Sequence, residues 1–349
     1  MKGFLYHTAA AMRREIGRIA RMRMYRMLLF YLPLAAFAFF ALFFSKGVPR
    51  NIPIAVVDDD RTALSRKLVE MLDAAPTAYV AYVAPSMNEA ERLMREGEIM
   101  AVVLIPSDFE KELLGGVPTP VEAYITGTNI TVNGLLSKDI QTVVTTFSAG
   151  VQLQLLTVRG MSDEQAMAQI MPVRFNRHVL FNPYINYGYY LAPSFMPMML
   201  LIFAVMATVF AVGTELKHGT AREWLNAGGD LMTAALTGKL LPVTAMLLLQ
   251  AFVMLFILIR IVGVPLNGSY TVMLVGTCCF LLGYQAIAVL IVALMANMRL
   301  SLSLSGGYSV LAFTFSGLTF PIMAMCAPMR WLSLCFPFTY YTDLFIDEM

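Results

Sequence analysis

The residue types that most often carry chemistry are scarce in this chain, and their spacing suits little of it. The three histidines, His7, His178 and His218, are far apart, and no HExxH, GxSxG or CxxC occurs. A histidine-based metal site, a serine nucleophile elbow and a dithiol redox site are therefore disfavoured. Cys278, Cys279, Cys326 and Cys335 are too few to staple 349 residues. Cys278 and Cys279 read as small packing residues, and Cys326 and Cys335 as open to oxidation. Gly238-Lys239 comes nearest to a phosphate-binding loop, but Thr233 stands where its first glycine belongs and Leu240 where a Ser or Thr is needed. Asp58-Asp59-Asp60 could hold a divalent cation. No glycine-containing calcium loop follows it, so an acidic strand-to-helix turn is preferred, with Asp60 or Thr62 capping a helix over 63–72. Two segments remain. Glu215-Leu216-Lys217-His218-Gly219-Thr220-Ala221-Arg222-Glu223-Trp224-Leu225 reads as a helix end, a break and a new amphipathic helix. Phe315-Ser316-Gly317-Leu318-Thr319-Phe320-Pro321, with Pro328, Trp331 and Pro337-Phe338-Thr339-Tyr340-Tyr341 after it, reads as a helix broken by prolines among aromatics.

The elements that position these segments follow from composition. The chain is 58% hydrophobic and 14% charged, with mean hydropathy +0.67, against roughly a quarter charged in a soluble domain. A net charge of +2 gives no ground for nucleic-acid binding. Stretches long enough for ~30 Å of hydrocarbon occur at 27–45, 189–213, 240–259, 272–296 and 302–320, five expected spans. The first is an uncleaved anchor, because its apolar core is longer than a signal peptide's and 26 residues precede it. Those residues, 1–26, carry seven basic side chains against Glu15 alone, which places an amphipathic N-terminal helix (about 10–25) in the cytoplasm. Residues 46–187 then lie outside and 214–239 inside, with Lys217, Arg222 and Lys239. Arg260, at the outer end of the third span, is read as an interfacial anchor.

Residues 46–187 have soluble composition, with 12 Lys and Arg against 16 Asp and Glu. Strands are expected at 52–57, 79–83, 100–105 and 121–126, alternating with helices at 87–96 and 107–114 that open on capping boxes at Ser86 and Ser107. A long helix over 129–159 and a short one capped by Ser162 complete an extracytoplasmic α/β domain. The fold class is thus an α-helical polytopic membrane protein with an inserted α/β domain.

At these residues the chain resembles the permease subunit of ABC-2 type transporters (type-2 ABC exporters), in the multidrug-efflux-like branch with a large periplasmic domain between the first two spans. The Arg-rich start, IPIAVVDDDRTALSRKLVEML, EAERLMREGEIMAVVLIPSDFEKELLGG, the Glu215 to Leu225 loop and the FSGLTFP to PFTYY segment occur in the family's order. The resemblance implies a bacterial inner-membrane exporter that moves an amphipathic or apolar compound (drug, lipid or polymer). It implies a second permease copy, as homo- or heterodimer, and cytosolic ABC ATPase subunits that hold ATP and Mg, with no cofactor on this chain. Membrane lipids surround it, and docking of a periplasmic adaptor is left open. It assigns ATPase coupling to Glu215, Gly219, Thr220, Glu223 and Leu225 within 214–237, with the N-terminal helix as a second ATPase contact. An outer gate is assigned to Gly317, Phe320, Pro321, Pro328, Pro337 and Tyr340, on broken outer helices over 321–341. The family has a sixth span after this point, so the chain is expected either to be cut short, the preferred reading, or to be a five-span variant. The contrasting functions are a non-transporting receptor or adaptor that binds an envelope protein or peptide, and an intramembrane enzyme, which the lack of catalytic side chains in the spans disfavours.

Overall fold

Helix α1, Lys2–Arg21, has no proline and no run of β-branched residues. Its buried residues Thr8, Ala11, Glu15 and Ile19 fall at helical spacing on one stripe. The helix thus starts well before the expected 10–25. Met22, in extended conformation, separates it from α2, Arg23–Arg26, which continues through a π-helical turn, Met27–Tyr31, into α3, Leu32–Phe43. Pro33 has no N–H to offer the carbonyl of Leu29 four residues back, and the Gln250 side-chain amide donates to that carbonyl instead at 3.3 Å. The computed structural model describes residues 2–45, 47–171, 182 and 186–349. The expected domain start at residue 46, and His178, lie outside them. Two compact units emerge, Met1–Val48 with Val179–Met349, and Pro49–His178.

In the second unit strands and helices alternate: β1 Ile52–Asp58, α4 Ala63–Asp73, β2 Ala78–Ala84, α5 Met87–Glu96, β3 Ala101–Ile105, α6 Phe109–Gly115, β4 Glu122–Ile125, α7 Ile130–Val158 and α8 Asp163–Ile170. The sheet order is β2-β1-β3-β4. β1 is parallel to β2 and β3, and β4 is antiparallel to β3. A strand central to a sheet covered on both faces must be apolar on both sides, and β1 is. Ile54 and Val56 pack with Leu68, Leu72, Leu136 and Ile140, while Ala55 and Val57 pack with Ala90 and Leu93 on the other face. Thr62 caps α4 through a reciprocal box with Ser65, and Asp58 accepts hydrogen bonds from the Asp60 and Arg61 amides and from Ser65 Oγ. The acidic run therefore serves the turn. Two expected caps are absent: Ser86 precedes α5 without a side-chain hydrogen bond, and α6 is preceded by Asp108 in the left-handed region rather than by Ser107, while the Glu110 amide donates to Asp60 Oδ2 at 3.1 Å instead.

The chain then forms α9 Tyr187–His218, α10 Ala221–Ala227, α11 Met232–Phe256 extended by a π-helical stretch Ile257–Val262, α12 Tyr270–Met295, α13 Met298–Thr314, α14 Ala327–Ser333 and α15 Pro337–Glu348. Among the described residues, four helices are long and apolar enough to cross a membrane, over Arg23–Phe43, Gly188–His218, Met232–Val262 and Tyr270–Met295. The first three are bounded differently from the expected spans because the helices run on through charged residues at which a hydropathy reading stops, and the fourth, which holds no charge, differs from its expected span by one or two residues at each end. The expected fifth span, 302–320, is corrected further. Its helix starts at Met298 and ends at Thr314, 17 residues, which spans about 25 Å at 1.5 Å per residue. Its Ser301, Ser303, Ser305, Gly306, Gly307 and Ser309 lower its hydropathy. α9 is the packing centre of this unit, touching α3, α11, α12 and α13 through small residues such as Ala204, Ala207 and Ala211.

Removing side-chain volume from the centre of the sheet tests this architecture. Ile54→Ala should destabilise the second unit by about 2–5 kcal/mol, and Val83→Ala, on the exposed side of β2, by no more than about 0.5 kcal/mol. Urea midpoints for proteolysis within residues 49–171 measure both, and equal midpoints for the two variants would contradict the placement of β1.

Candidate functional site

The segment after α9 has a defined conformation. Gly219 takes φ +69, the Thr220 amide donates to the Glu215 carbonyl at 3.0 Å, and the Gly219 amide reaches back to Leu216. This pattern is a Schellman cap, which needs a residue that tolerates a left-handed backbone. The chain turns and starts α10 at once. Trp224 Nε1 donates to the Ala235 carbonyl at 2.9 Å, which fastens α10 to the first turn of α11. The close approach of the two requires a glycine at 228, where an added Cβ would lie 2.5 Å from the Ala235 Cβ.

Under this joint lies an ion cluster. Glu15, Glu215 and Lys239 are each 0% exposed. Lys239 Nζ donates to Glu15 Oε2 at 2.6 Å and to Glu215 Oε1 at 2.7 Å. Arg14 grips Glu215 with both terminal nitrogens, at 2.6 and 3.1 Å, and this hydrogen bond holds the Arg14 guanidinium above its usual pKa. Arg18 pairs with Glu215 and with Glu15, and donates to Thr214 Oγ1 at 2.6 Å. Tyr25 donates to Glu15 Oε1 at 2.6 Å, and Thr220 Oγ1 donates to Glu215. Lys239 also sits 5.1 Å from the Trp224 ring centroid. Glu223, whose side chain is 74% exposed, approaches Arg14 at 3.8 Å. Three carboxylates thus face three cations contributed by α1, α9, α10 and α11. Gly238 lets α1 come this close to α11: a Cβ there would meet the Thr8 carbonyl oxygen at 2.5 Å and the Ala11 Cβ at 2.7 Å.

The structure sorts the sequence-based candidates. Glu215, Gly219 and Thr220 form the joint itself. Glu215 is a buried anchor of that joint. Glu223 is exposed, and Leu225 is half-buried against the apolar core. Sequence reasoning missed Glu15, Arg14, Arg18, Lys239 and Trp224 as members. The available signals were one acid inside an Arg-rich helix and one lysine inside an apolar helix. His218 Nδ1 donates to the Thr214 carbonyl at 3.0 Å, and among the described residues no three His, Cys, Asp or Glu side chains converge as a metal site.

The outer-gate candidates lie elsewhere and make no hydrogen bond or ion pair to the cluster among the described residues. Gly317 turns the chain at φ +91, and Phe320 is exposed. Pro321 precedes a single 3-10 turn, Ile322–Ala324, and Pro328 and Pro337 sit in the first turns of α14 and α15. Tyr340 is exposed and donates to the Leu334 carbonyl at 3.0 Å. The buried members of the segment are its neighbours. Tyr341 stacks on Phe280 with centroids 4.3 Å apart, and the Phe338 amide donates to Tyr284 Oη at 3.0 Å. All four cysteines are free thiols.

The short helix α10 thus follows a capped turn at the end of α9 and is held to α11 by Trp224 and to α1 by Glu223. Residues 23–349 match the family described as ABC-2 family transporter protein. The chain belongs to this family. It is a membrane permease, and the match begins two residues past the end of α1, so Arg14, Glu15 and Arg18 precede the matched range. Among similar proteins, the "Probable multidrug ABC transporter permease YbhR" of Escherichia coli (strain K12) is 20% identical over 304 residues, covering 84% of this chain and 76% of the relative. The "Probable multidrug ABC transporter permease YbhS" of the same strain is 21% identical over 296 residues, covering 84% and 75%. No solved structure matches.

Removing one partner of a buried charge pair strands the other. Lys239→Met should therefore destabilise this unit by about 3–5 kcal/mol, and Glu15→Gln added to it should recover part of the loss. Thermal unfolding of the detergent-solubilised protein measures the cycle. Strictly additive losses would mean that Lys239 and Glu15 do not act as a pair.

Proposed function

We propose that this permease is the membrane half of an exporter driven by separate cytosolic ATPase subunits, and that α10 is the element they push. The observation that carries this reading is the Glu215 cluster, which makes one body of the end of α9, α10, the start of α11 and α1. A displacement applied to α10 cannot be absorbed at a loose hinge, because its joint to α9 is capped and ionically filled, so it passes to the long helices as a rigid-body motion. The face that α10 offers a partner is Arg222, Glu223 and Asn226, all exposed, with Trp224 turned inward.

The positive charge of residues 1–26 supports a cytoplasmic N-terminus in the bacterial inner membrane, with residues 46–187 outside and within reach of a periplasmic adaptor. The permease works as a homo- or heterodimer, and the segment from Gly317 to Tyr340 forms its outer gate. The cargo is an amphipathic or apolar compound, such as a drug, lipid or polymer. This agrees with the names of the E. coli relatives and with a cavity of about 500 Å³ lined by Tyr189, Tyr190, Pro193, Leu318, Phe345 and Ile346. ATP and Mg belong to the partner ATPase, and this chain supplies no catalytic group.

Two substitutions test the coupling role. Glu223→Ala removes an exposed charge, and Gly219→Pro forbids the left-handed turn. Both should lower ATP hydrolysis by the co-purified ATPase in membranes several-fold, and Glu223→Ala should do so with unchanged thermal stability. Full ATPase stimulation in both variants, or no ATPase that co-purifies at all, would overturn the reading, the latter in favour of a receptor or adaptor.

A further inference from the structure

Beside the ion cluster, on its open side, a cavity of about 520 Å³ is lined by Arg13, Arg14, Gly17, Arg18, Arg21, Met22, His218 and Thr220. We propose that it binds a phosphate-bearing anion, either a phospholipid head group or a soluble phosphate. Four guanidiniums line the cavity and no carboxylate does. Arg14 and Arg18 are committed to Glu215, whereas Arg13 and Arg21 are exposed and, among the described residues, make no ion pair. At 100° per residue, Arg14, Gly17, Arg18 and Arg21 occupy one flank of the buried stripe of α1, and Leu5 and Ile16, both exposed, occupy the other. The arginines thus gather on one side of the helix, with Tyr6 exposed among them, and Leu5 and Ile16 on the other, an amphipathic distribution of the kind found in helices at a membrane surface.

Gly17 lines the cavity, and a Cβ added there would meet nothing within 4 Å. Packing therefore does not require a glycine there. A glycine costs helix stability, and here its effect is to leave room between the forks of Arg13, Arg14 and Arg21. Planar guanidiniums converging on one space suit the several oxygens of a phosphate better than a single carboxylate. An anion held there lies against the arginines that grip Glu215, so its occupancy bears on the joint beneath α10. The proposal does not depend on the exporter reading.

The test uses the full chain in dodecyl maltoside, without ATPase, titrated with dihexanoyl-phosphatidylglycerol, with inorganic phosphate and with dihexanoyl-phosphatidylcholine, and followed by thermophoresis. The wild type should bind phosphatidylglycerol at least tenfold more tightly than phosphatidylcholine. Arg13→Gln with Arg21→Gln, which spares the ion cluster, should weaken this at least tenfold. Gly17→Leu, which fills the cavity and keeps every charge, should do the same. Equal binding of inorganic phosphate supports a soluble ligand, and binding of phosphatidylglycerol alone supports a lipid. If Gly17→Leu binds as the wild type does, the attraction is to net charge and there is no site. If neither phosphatidylglycerol nor inorganic phosphate binds the wild type, the proposal is overturned.

Discussion

Two carboxylates and an ammonium, removed from water where four helices meet, are the constraint on which the rest of this permease depends. Each ion alone would cost several kcal/mol to bury, so none of Glu15, Glu215 and Lys239 tolerates the absence of the others. Their satisfaction requires α1 to lie against α11, α9 to end within reach, and α10 to fold back over Lys239 so that Trp224 covers it. Such a cluster is a weak source of net stability but a strong source of register. Sliding α1 by one residue along α11 would turn Glu15 away from Lys239 and drive side chains into the Gly238 contact.

The apolar body follows another rule. With lipid outside and protein inside equally apolar, helices gain little from hydrophobicity alone and associate through close packing and hydrogen bonds. α9 does this with alanines on its buried faces. Several polar groups here find partners: Gln250 Nε2 serves the Leu29 carbonyl, Thr244 Oγ1 donates to Gln285 Oε1 at 2.8 Å, and Thr208 and Thr277 return to carbonyls of their own helices, whereas Gln250 Oε1, Gln285 Nε2 and Ser305 Oγ are buried without a partner among the described residues.

What could be read before the structure divides along the same line. Strands β1 to β4 and the helices between them were legible to within two residues, because a soluble layer announces itself by alternation and turn chemistry. The two wrong caps at Ser86 and Ser107 share a cause: a pattern of Ser and Glu three apart is common, and only the backbone decides whether the hydroxyl reaches the amide. Span limits were legible only as far as hydropathy follows helix geometry. It fails at Lys239, a charge inside a helix, and at Thr314, where the helix stops while the sequence stays apolar. The candidate site was half legible. Gly219 and Thr220 betray a helix break locally, but the partners of Glu215 lie some 200 positions earlier, at Arg14 and Arg18, and no local spacing links them. Nor does a family pattern, since the matched range starts at residue 23.

If α10 is the element that the ATPase pushes, as proposed above, the position of the cluster divides the Glu215 to Leu225 segment into two parts. A lever needs one end that does not yield and one that a partner can grip. The buried end is filled by Glu215, Thr220 and Trp224, whose hydrogen bonds close inside the chain. The outward end is Arg222, Glu223 and Asn226, whose side chains face solvent. Glu223 belongs to both: it is exposed, yet within 3.8 Å of Arg14, which itself grips Glu215. A partner cation that draws Glu223 outward would leave Arg14 wholly to Glu215, while a partner carboxylate would compete with Glu215 for Arg14. On the proposed coupling role, contact at the surface of α10 would be felt electrostatically at the foot of α9 before any helix moves, most strongly at low ionic strength, because Glu223 alone among the carboxylates of the cluster is exposed to screening by salt.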